Sequence, residues 1–282
     1  MSMLSLVLDP VQTAPRVVRM TASEATVTGG VIGDRVVTIR RLTGAGDLNP
    51  KTAKNDVQTL GLSLLPHKFA GIGNLCPFAV NCPNGCLANQ GQGPMPGVRV
   101  PRAAKSMLWY LAREWFLDKL TRELTAFRRK VAADQIAGVR LNMFSDIAWE
   151  EHGIIDAFPG VTFYDYAKNP KRHGWLRPNY WATYSFDGLD RHLPNVDAVI
   201  AAGHNVSVVF YDPSQGAKCG KAAHRQRLPA TWRGIPVIDG GKSDWRPDDP
   251  RGVIVGLRLL ARTYASRQES IDSGFAVRLP GA

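Results

Sequence analysis

The sequence has little cysteine, no concentrated block of charge and no long apolar run. Each absence excludes a class of protein. Only four of its 282 residues are cysteine, too few for a fold held together by many disulfides. No stretch approaches the roughly 18 apolar residues of a membrane-spanning helix, so we expect no membrane partner. The apolar patch in residues 1–12 lacks the basic flank and the length of a signal peptide. The sequence therefore predicts a cytoplasmic protein.

Several well-known catalytic signatures are missing as well. The chain contains no G-x-S-x-G, no G-x-x-x-x-G-K-[ST] and no H-E-x-x-H, so a nucleophile elbow, a P-loop and a zinc-protease helix are not indicated. What the chain does have is a net charge of +11 and a pI near 9.7, spread along its length. That excess favours an anionic partner such as a nucleotide or a nucleic acid, although it is also typical of an ordinary soluble surface.

The cysteines that are present are crowded together. Cys76, Cys82 and Cys86 fall within residues 74–93, NLCPFAVNCPNGCLANQGQG, in the pattern C-x5-C-x3-C. In a reducing compartment, such a cluster predicts metal ligands or redox groups rather than disulfides. Thiolates are soft ligands that suit zinc or an iron–sulfur cluster.

Two kinds of metal site are compatible with this loop. Structural zinc ordinarily takes its ligands from two knuckles, and here His67 or Cys219, with His224 near it in sequence, would have to supply the fourth ligand. A 4Fe-4S cluster held at three corners needs no fourth cysteine, and it leaves one iron open to a small molecule. We therefore predict an iron–sulfur cluster on the three cysteines, with zinc as the alternative. Buried or redox-active thiols without a metal are a third interpretation.

The rest of the chain alternates between strand and helix patterns. Strand-like runs occupy residues 60–66, 138–144, 161–168, 181–187, 205–212 and 235–239. Helical patterns occupy residues 101–131, 146–158 and 196–203, and residues 253–265 begin as a strand and continue as a helix. This alternation predicts an α/β fold with about six mostly parallel strands, arranged as a partial or open β/α barrel over residues 59–282. Residues 1–58 are predicted to be a small N-terminal β segment.

Ligands of such folds gather at the carboxyl ends of the strands, and polar residues are concentrated there. The candidate catalytic residues are Arg140, Asn142, Asp146, Lys168, Ser185 and Asp239. An arginine inside a barrel is costly unless it is paired or binds a ligand, which favours a site role for Arg140. Asp146 is equally compatible with a helix N-terminus, and Asp239 with a glycine turn. The basic stretch KNPKR, residues 168–172, is compatible with a phosphate contact or with a solvated loop.

A cofactor would also need backbone and aromatic contacts near the cysteines. Glycine allows the backbone to approach a ligand closely, and G-x-G at residues 91–93 follows the third cysteine. We predict cofactor contacts from Gly91, Gly93, Asn142 and Tyr164.

Four ordered segments carry a resemblance to a known family: LSLLPHKFAGIGNLCPFAVNCPNGCLANQGQG, RLNMFSDIAWE, FPGVTFYDYAKNPKR and IPVIDGGKSDWRPDDPRGVIVGL. Together they resemble bacteriophage proteins of the "gene product 88" type over roughly residues 55–260. The resemblance implies a phage origin, action in the host cytoplasm, and Cys76, Cys82 and Cys86 as the family's cysteine positions. The cysteine loop and strand order also resemble divergent radical S-adenosylmethionine proteins, whose usual spacing is C-x3-C-x2-C.

These observations favour one function and leave others open. The first hypothesis is a phage iron–sulfur protein that resembles a radical S-adenosylmethionine enzyme and acts on a nucleotide or nucleic acid. The second is a zinc-braced nucleic-acid-binding protein without catalysis. The third is a protein that binds a host protein and uses the metal only to brace a loop.

Overall fold

A small antiparallel sheet begins the fold. The structure is a computed structural model that describes residues 13–45, 56–83, 85–174, 177–215, 223 and 225–279. Strands β1 (Arg16–Met20), β2 (Ala25–Thr28) and β3 (Val37–Ile39) form this sheet in sequential order. It packs against the first long helix. The expected N-terminal β segment is therefore present.

A second sheet of ten strands forms the body of the protein. Its strands are β4 (Thr43–Ala45), β5 (Val57–Leu62), β6 (Ile136–Arg140), β7 (Thr162–Ala167), β8 (Tyr180–Ser185), β9 (Val206–Tyr211), β10 (Thr231–Trp232), β11 (Ile235–Asp239), β12 (Ile254–Arg258) and β13 (Val277–Arg278). They lie in the order β10-β11-β12-β9-β8-β7-β6-β5-β4, and β13 pairs with β9.

Most neighbours in this sheet are parallel. Every pair from β5 through β9, and then β9 with β12 and β12 with β11, runs in the same direction. At the two edges, β4 pairs antiparallel with β5, and β10 pairs antiparallel with β11. The predicted mostly parallel α/β sheet is confirmed, and the pairing of the described strands does not close it into a barrel. The predicted boundary after residue 58 stays a prediction; β4, which precedes it, pairs with β5.

The helices differ from expectation in three places. Residues 253–265 begin as β12, as predicted, but residues 259–263 are not helical and the next helix starts only at Tyr264. The helical pattern predicted over residues 101–131 is two helices, α1 (Pro96–Leu111) and α2 (Arg113–Lys130). Pro101 lies inside α1 rather than near its start. The helix predicted for residues 146–158 is wrong: only a short 3-10 turn, Trp149–His152, forms there. Helices α3 (Leu193–Ala201) and α4 (Tyr264–Asp272) complete the set. None of the described helices is both long enough and apolar enough to cross a membrane.

The two faces of the parallel sheet have different environments. On one face, Val139 and Phe163 join a core that includes Phe116 and Leu120 of α2. Side chains alternate along a strand, so Arg140 and Tyr164, each the next residue, face the other way. Full burial of such an apolar side chain stabilises the fold by about 1.5–3 kcal/mol. The helix-covered face therefore holds the sheet together and leaves the opposite face to form cavities.

Candidate functional site

The carboxyl ends of the central strands surround a cavity of about 270 Å³, called here the cysteine cavity. All three loop cysteines line it. The candidate residues that also line it are Arg140, Asn142, Asp146, Lys168 and Ser185. The rim expected from the sequence thus brings five of the six candidate catalytic residues together with the cysteines.

Contacts with the end of β6 fix the cysteine loop. The backbone N–H of Asp146 donates to the Leu75 carbonyl oxygen at 2.7 Å. The Cys76 thiol contacts the Phe144 carbonyl oxygen at 3.4 Å, and the Cys76 N–H donates to the side-chain oxygen of Asn74 at 2.9 Å. These bonds satisfy backbone groups of a segment that has little regular structure, so the loop is held in one position over the cavity.

The three thiols are free; Cys76 and Cys82 are buried, and Cys86 is partly exposed. Burial raises the pKa of Cys76 to about 12. Burial also raises the pKa of Cys82, although the Lys168 ammonium beside it acts in the opposite direction. Even with Lys168 beside Cys82, burial therefore favours neutral thiols at pH 7 in the absence of a bound metal.

The thiols do not converge on a single point. In the parts of the chain that the structure describes, no group of three or more His, Cys, Asp or Glu side chains is placed to hold one metal ion. A zinc–sulfur bond of about 2.3 Å would bring the thiolates to roughly 4 Å from one another. His67 lines the same cavity, whereas Cys219 and His224 lie outside the described residues.

Besides Arg258, two cations line the cysteine cavity. The Lys168 ammonium donates to the backbone and hydroxyl oxygens of Ser185 at 3.3 and 3.2 Å. The Arg140 guanidinium lies 4.9 Å from the Tyr166 ring centroid, and its buried Nε has no hydrogen-bond partner in the described chain. Neither side chain takes part in a described ion pair. The wall also carries the carboxylates of Asp146 and Asp244, so the two cations face the cavity alongside negative charge.

The side chain of Asn142 differs, because its amide group is already hydrogen-bonded to other residues of the chain. Its amide oxygen accepts hydrogen bonds from Ser145, the Ile147 N–H and the Trp149 indole at 2.9–3.1 Å. Its amide nitrogen donates to the Ile147 carbonyl oxygen at 2.9 Å. This network shapes the turn after β6, and its geometry favours a structural part for Asn142 over ligand contact.

Asp146 is likewise committed to a neighbour. Its carboxylate accepts from Arg172 at 2.9 Å and from the Lys168 N–H at 3.2 Å. Arg172 also donates to both carboxylate oxygens of Glu150, at 2.8 and 3.0 Å, and to the Tyr180 hydroxyl. Asp146, Arg172, Glu150 and Tyr180 are all buried. Since Asp146 accepts from the backbone N–H of Lys168, it orients Lys168 through the backbone. The helix N-terminus considered for Asp146 is not there.

Asp239 lies just outside the cysteine cavity. Its carboxylate forms two hydrogen bonds with Arg258, at 2.6 and 2.9 Å, and accepts from the Gly241 N–H at 2.9 Å. Arg258, Gly240 and Gly241 line the cavity in its place. The geometry supports the glycine-turn interpretation and places Arg258, which the sequence analysis did not single out, at the wall.

Tyr164 and Gly93 line a second, adjoining cavity, and Gly91 lines neither. Tyr164 packs edge-on against Trp245 at 4.9 Å between ring centroids. A Cβ at Gly93 would lie 2.1 Å from the Ala88 carbonyl oxygen, whereas one at Gly91 would meet open space. Gly93 is thus required by the folding of the loop itself, and its predicted contact with a cofactor stays a prediction.

A family model described as gene product 88 matches residues 39–278. The chain belongs to the gene product 88 family. This membership confirms the phage gene-product resemblance seen in the sequence, and the matched region includes all three loop cysteines and both cavities. Searches of curated proteins and of solved structures found no match. The likeness to radical S-adenosylmethionine proteins stays a hypothesis.

Besides Arg258, three further basic residues have roles that the sequence analysis missed. Arg172 belongs to the KNPKR stretch, which was considered as a phosphate contact or a solvated loop, but it is buried in ion pairs. Arg102 and Lys105 lie in α1 and line the second cavity. Their spacing of three residues on a helix was the available signal, since it places both on one face.

Substitutions at the two loop glycines should separate loop folding from ligand contact. We expect Gly93→Ala to lower the free energy of unfolding by about 1–3 kcal/mol, because its methyl group would overlap the Ala88 backbone. Gly91→Ala should cost about 1 kcal/mol, since Gly91 has a φ of +54° but free space around it. Urea unfolding measures both. Gly97→Ala, in the first turn of α1 with no neighbour to strike, is the control and should not destabilise. Equal losses at Gly93 and Gly91 would contradict the steric argument.

Proposed function

We propose that this protein is an iron–sulfur enzyme that resembles radical S-adenosylmethionine enzymes and acts on a nucleotide or nucleic acid in the host cytoplasm. One observation carries the proposal: three free thiols and two cations without ion-pair partners line the same cavity at the carboxyl ends of parallel strands. Ligand sites of parallel α/β folds occur at this edge.

The donor set fits a cluster held by three cysteines. Cys76, Cys82 and Cys86, which line one cavity, would hold it. Thiolate ligands are negatively charged, so their burial requires nearby positive charge. Lys168 beside Cys82 supplies one such charge, and Arg102, whose charge acts on Cys86, supplies another.

When bound, the cluster would supply an electron and an open iron for a small molecule. The residues of the chain would bind and orient that molecule. Arg140 would pair with an acidic group through the in-plane N–H donors that its stacking on Tyr166 leaves unmet. Lys168 and Ser185 offer an ammonium and a hydroxyl donor in the same cavity. Asp146 and Arg172 act indirectly by fixing the backbone of Lys168.

The substrate class follows from charge. The net charge of +11 favours a partner that carries phosphate.

The geometry of the cysteine cavity gives no comparable support to a zinc-braced binding protein, because the described ligands do not converge on one ion.

Purification without oxygen, followed by iron, sulfide and zinc assays and a visible spectrum, tests the proposal. We expect a brown protein with broad absorbance near about 400 nm that is lost in Cys76→Ala, Cys82→Ala and Cys86→Ala. Cys219→Ala removes the fourth cysteine of the sequence and is the matched control, which should keep its iron. Reductive cleavage of S-adenosylmethionine by the wild type, and not by Cys76→Ala, would support the radical chemistry.

Two results would overturn the proposal. Colourless protein with about one zinc per chain would replace it with a zinc-braced binding protein. Iron that survives in all three cysteine variants would show that the metal is bound elsewhere.

A further inference from the structure

A larger cavity, of about 630 Å³, adjoins the cysteine cavity and is called here the second cavity. The two share Leu87, Arg140, Met143, Phe144 and the carboxylate residue Asp244 in their walls. Its polar lining includes Arg102, Lys105, Thr59, Ser63 and Gln90. Its volume lies within the roughly 300–1,000 Å³ typical of small-molecule sites.

Three cations contribute to this lining without forming an ion pair in the described residues. Lys105 donates to the Leu42 carbonyl oxygen at 2.9 Å, and burial lowers its pKa to about 8. Glu123 lies near it, but that carboxylate already accepts from the Leu42 and Thr43 N–H groups and the Thr43 hydroxyl. Lys105 therefore sits beside the second cavity without a carboxylate in ion-pair contact.

The two arginines of the second cavity are held by aromatic rings. The Arg102 guanidinium lies 4.2 Å from the centroid of Phe144, and that of Arg140 lies 4.9 Å from the centroid of Tyr166. Stacking fixes the plane of each guanidinium but satisfies none of its N–H donors in that plane. Nη1 of Arg102 and Nε of Arg140 are buried and have no hydrogen-bond partner in the described part of the chain.

Buried cations with unmet donors are costly unless a ligand completes them. An oxyanion would meet these donors and offset the charge of the lysine as well. A phosphate group suits this set better than a carboxylate, because its oxygens can engage two guanidinium forks and an ammonium together. Thr59, Ser63 and Gln90 would then be available to hydroxyl and ring groups of the same molecule.

We propose that the second cavity binds a phosphate ester of nucleotide size, with its phosphate held by Arg102, Lys105 and Arg140. The phosphate belongs either to a free nucleotide or to one nucleotide unit of a nucleic acid. Binding at this site does not require the cluster. Only the further step, that the bound ester is the substrate of the cysteine cavity beside it, rests on the proposed function.

Isothermal titration of the purified protein with adenosine 5′-monophosphate, with adenosine and with a short single-stranded oligonucleotide tests the site. We expect the monophosphate to bind at least about tenfold more tightly than adenosine. Arg102→Met should weaken that binding by at least about tenfold, and Arg102→Lys, which keeps the charge but not the fork, by less. Saturable oligonucleotide binding without monophosphate binding would assign the phosphate to nucleic acid, provided that Arg102→Met abolishes it.

Arg99→Met is the matched control. Arg99 lies on the same helix but contacts Asn89 and Phe69 and lines neither cavity, so its loss should leave binding unchanged. Equal affinity for adenosine and the monophosphate, no saturable binding of any probe, or equal losses in the Arg99 and Arg102 variants would overturn the inference. Cys76→Ala should retain monophosphate binding, so a missing cluster and a missing phosphate site give different results.

Discussion

Replacing Arg172 by methionine should destabilise the protein by about 3–5 kcal/mol. Arg172 is 1% exposed, and it links the buried carboxylates of Asp146 and Glu150 with the hydroxyl of Tyr180. Methionine would fill much of the volume but would leave two carboxylates buried without a counter-charge. Urea unfolding monitored by tryptophan fluorescence measures the loss.

The pH dependence of that loss identifies its cause. Burial already raises the pKa of the Asp146 carboxyl group, and Arg172 opposes that rise, so the loss of Arg172 would raise this pKa further above its unfolded value. Such a group takes up a proton on folding, so the deficit should be smaller at pH 5 than at pH 8. Arg40→Met removes an arginine whose side chain is 75% exposed in its pair with Glu24, and should cost no more than about 1 kcal/mol. A loss of that small size at Arg172 would contradict the buried-pair argument.

The sequence predicted the strands well because their apolar runs are short and follow one another at regular intervals. Residues 235–239 form β11 as expected, and β7 and β9 differ from their predicted runs by one residue at each end. Helices were harder. The stripe through residues 101–131 continues across Ala112, where φ is −146° and the helix breaks, and no glycine or proline marks that position.

The candidate site was predicted in outline and missed in detail. The position of Cys76 and Arg140 on one rim follows from parallel strands, whose carboxyl ends meet at one edge. Whether a polar side chain faces the cavity or satisfies the protein itself depends on tertiary contacts. The side chain of Asn142 makes four hydrogen bonds of 2.9–3.1 Å to three neighbours, and Asp239 pairs with Arg258, which is distant in sequence. Residue type and strand position alone do not distinguish these cases from Lys168.

The basic residues of α1 illustrate the same limit. Arg102 and Lys105 were passed over because the apolar stripe of the helix predicts a core element, and long basic side chains on such helices commonly extend to solvent. Here Leu87 and Gln90, which follow the cysteines in sequence, line the same cavity as Arg102 and Lys105. The loop that carries the cysteines therefore also creates the second cavity, which is why the two cavities adjoin.

Asp165 provides the second large expected effect. It is fully surrounded by protein, and burial raises its pKa from 3.8 to about 7, against the opposing influence of Arg172, Arg140 and the donors Asn142 and Tyr180. A carboxyl group whose pKa is higher in the folded state binds a proton on folding, so its contribution to stability is present at low pH and is lost as pH rises through that range. Asparagine cannot ionise and should remove this dependence.

We therefore expect the free energy of unfolding of Asp165→Asn, relative to wild type, to rise by about 2–3 kcal/mol between pH 5 and pH 8. Urea titrations at several pH values in that interval measure the difference. Asp239→Asn is the control of opposite sign: its pair with Arg258 holds the pKa of Asp239 below 3.8, so its contribution is lost only as pH falls below about 4. Its effect should accordingly be constant from pH 5 to pH 8. A difference for Asp165→Asn that is equally constant over this interval would show that Asp165 is ionised throughout, with Arg172 and Arg140 compensating for its burial.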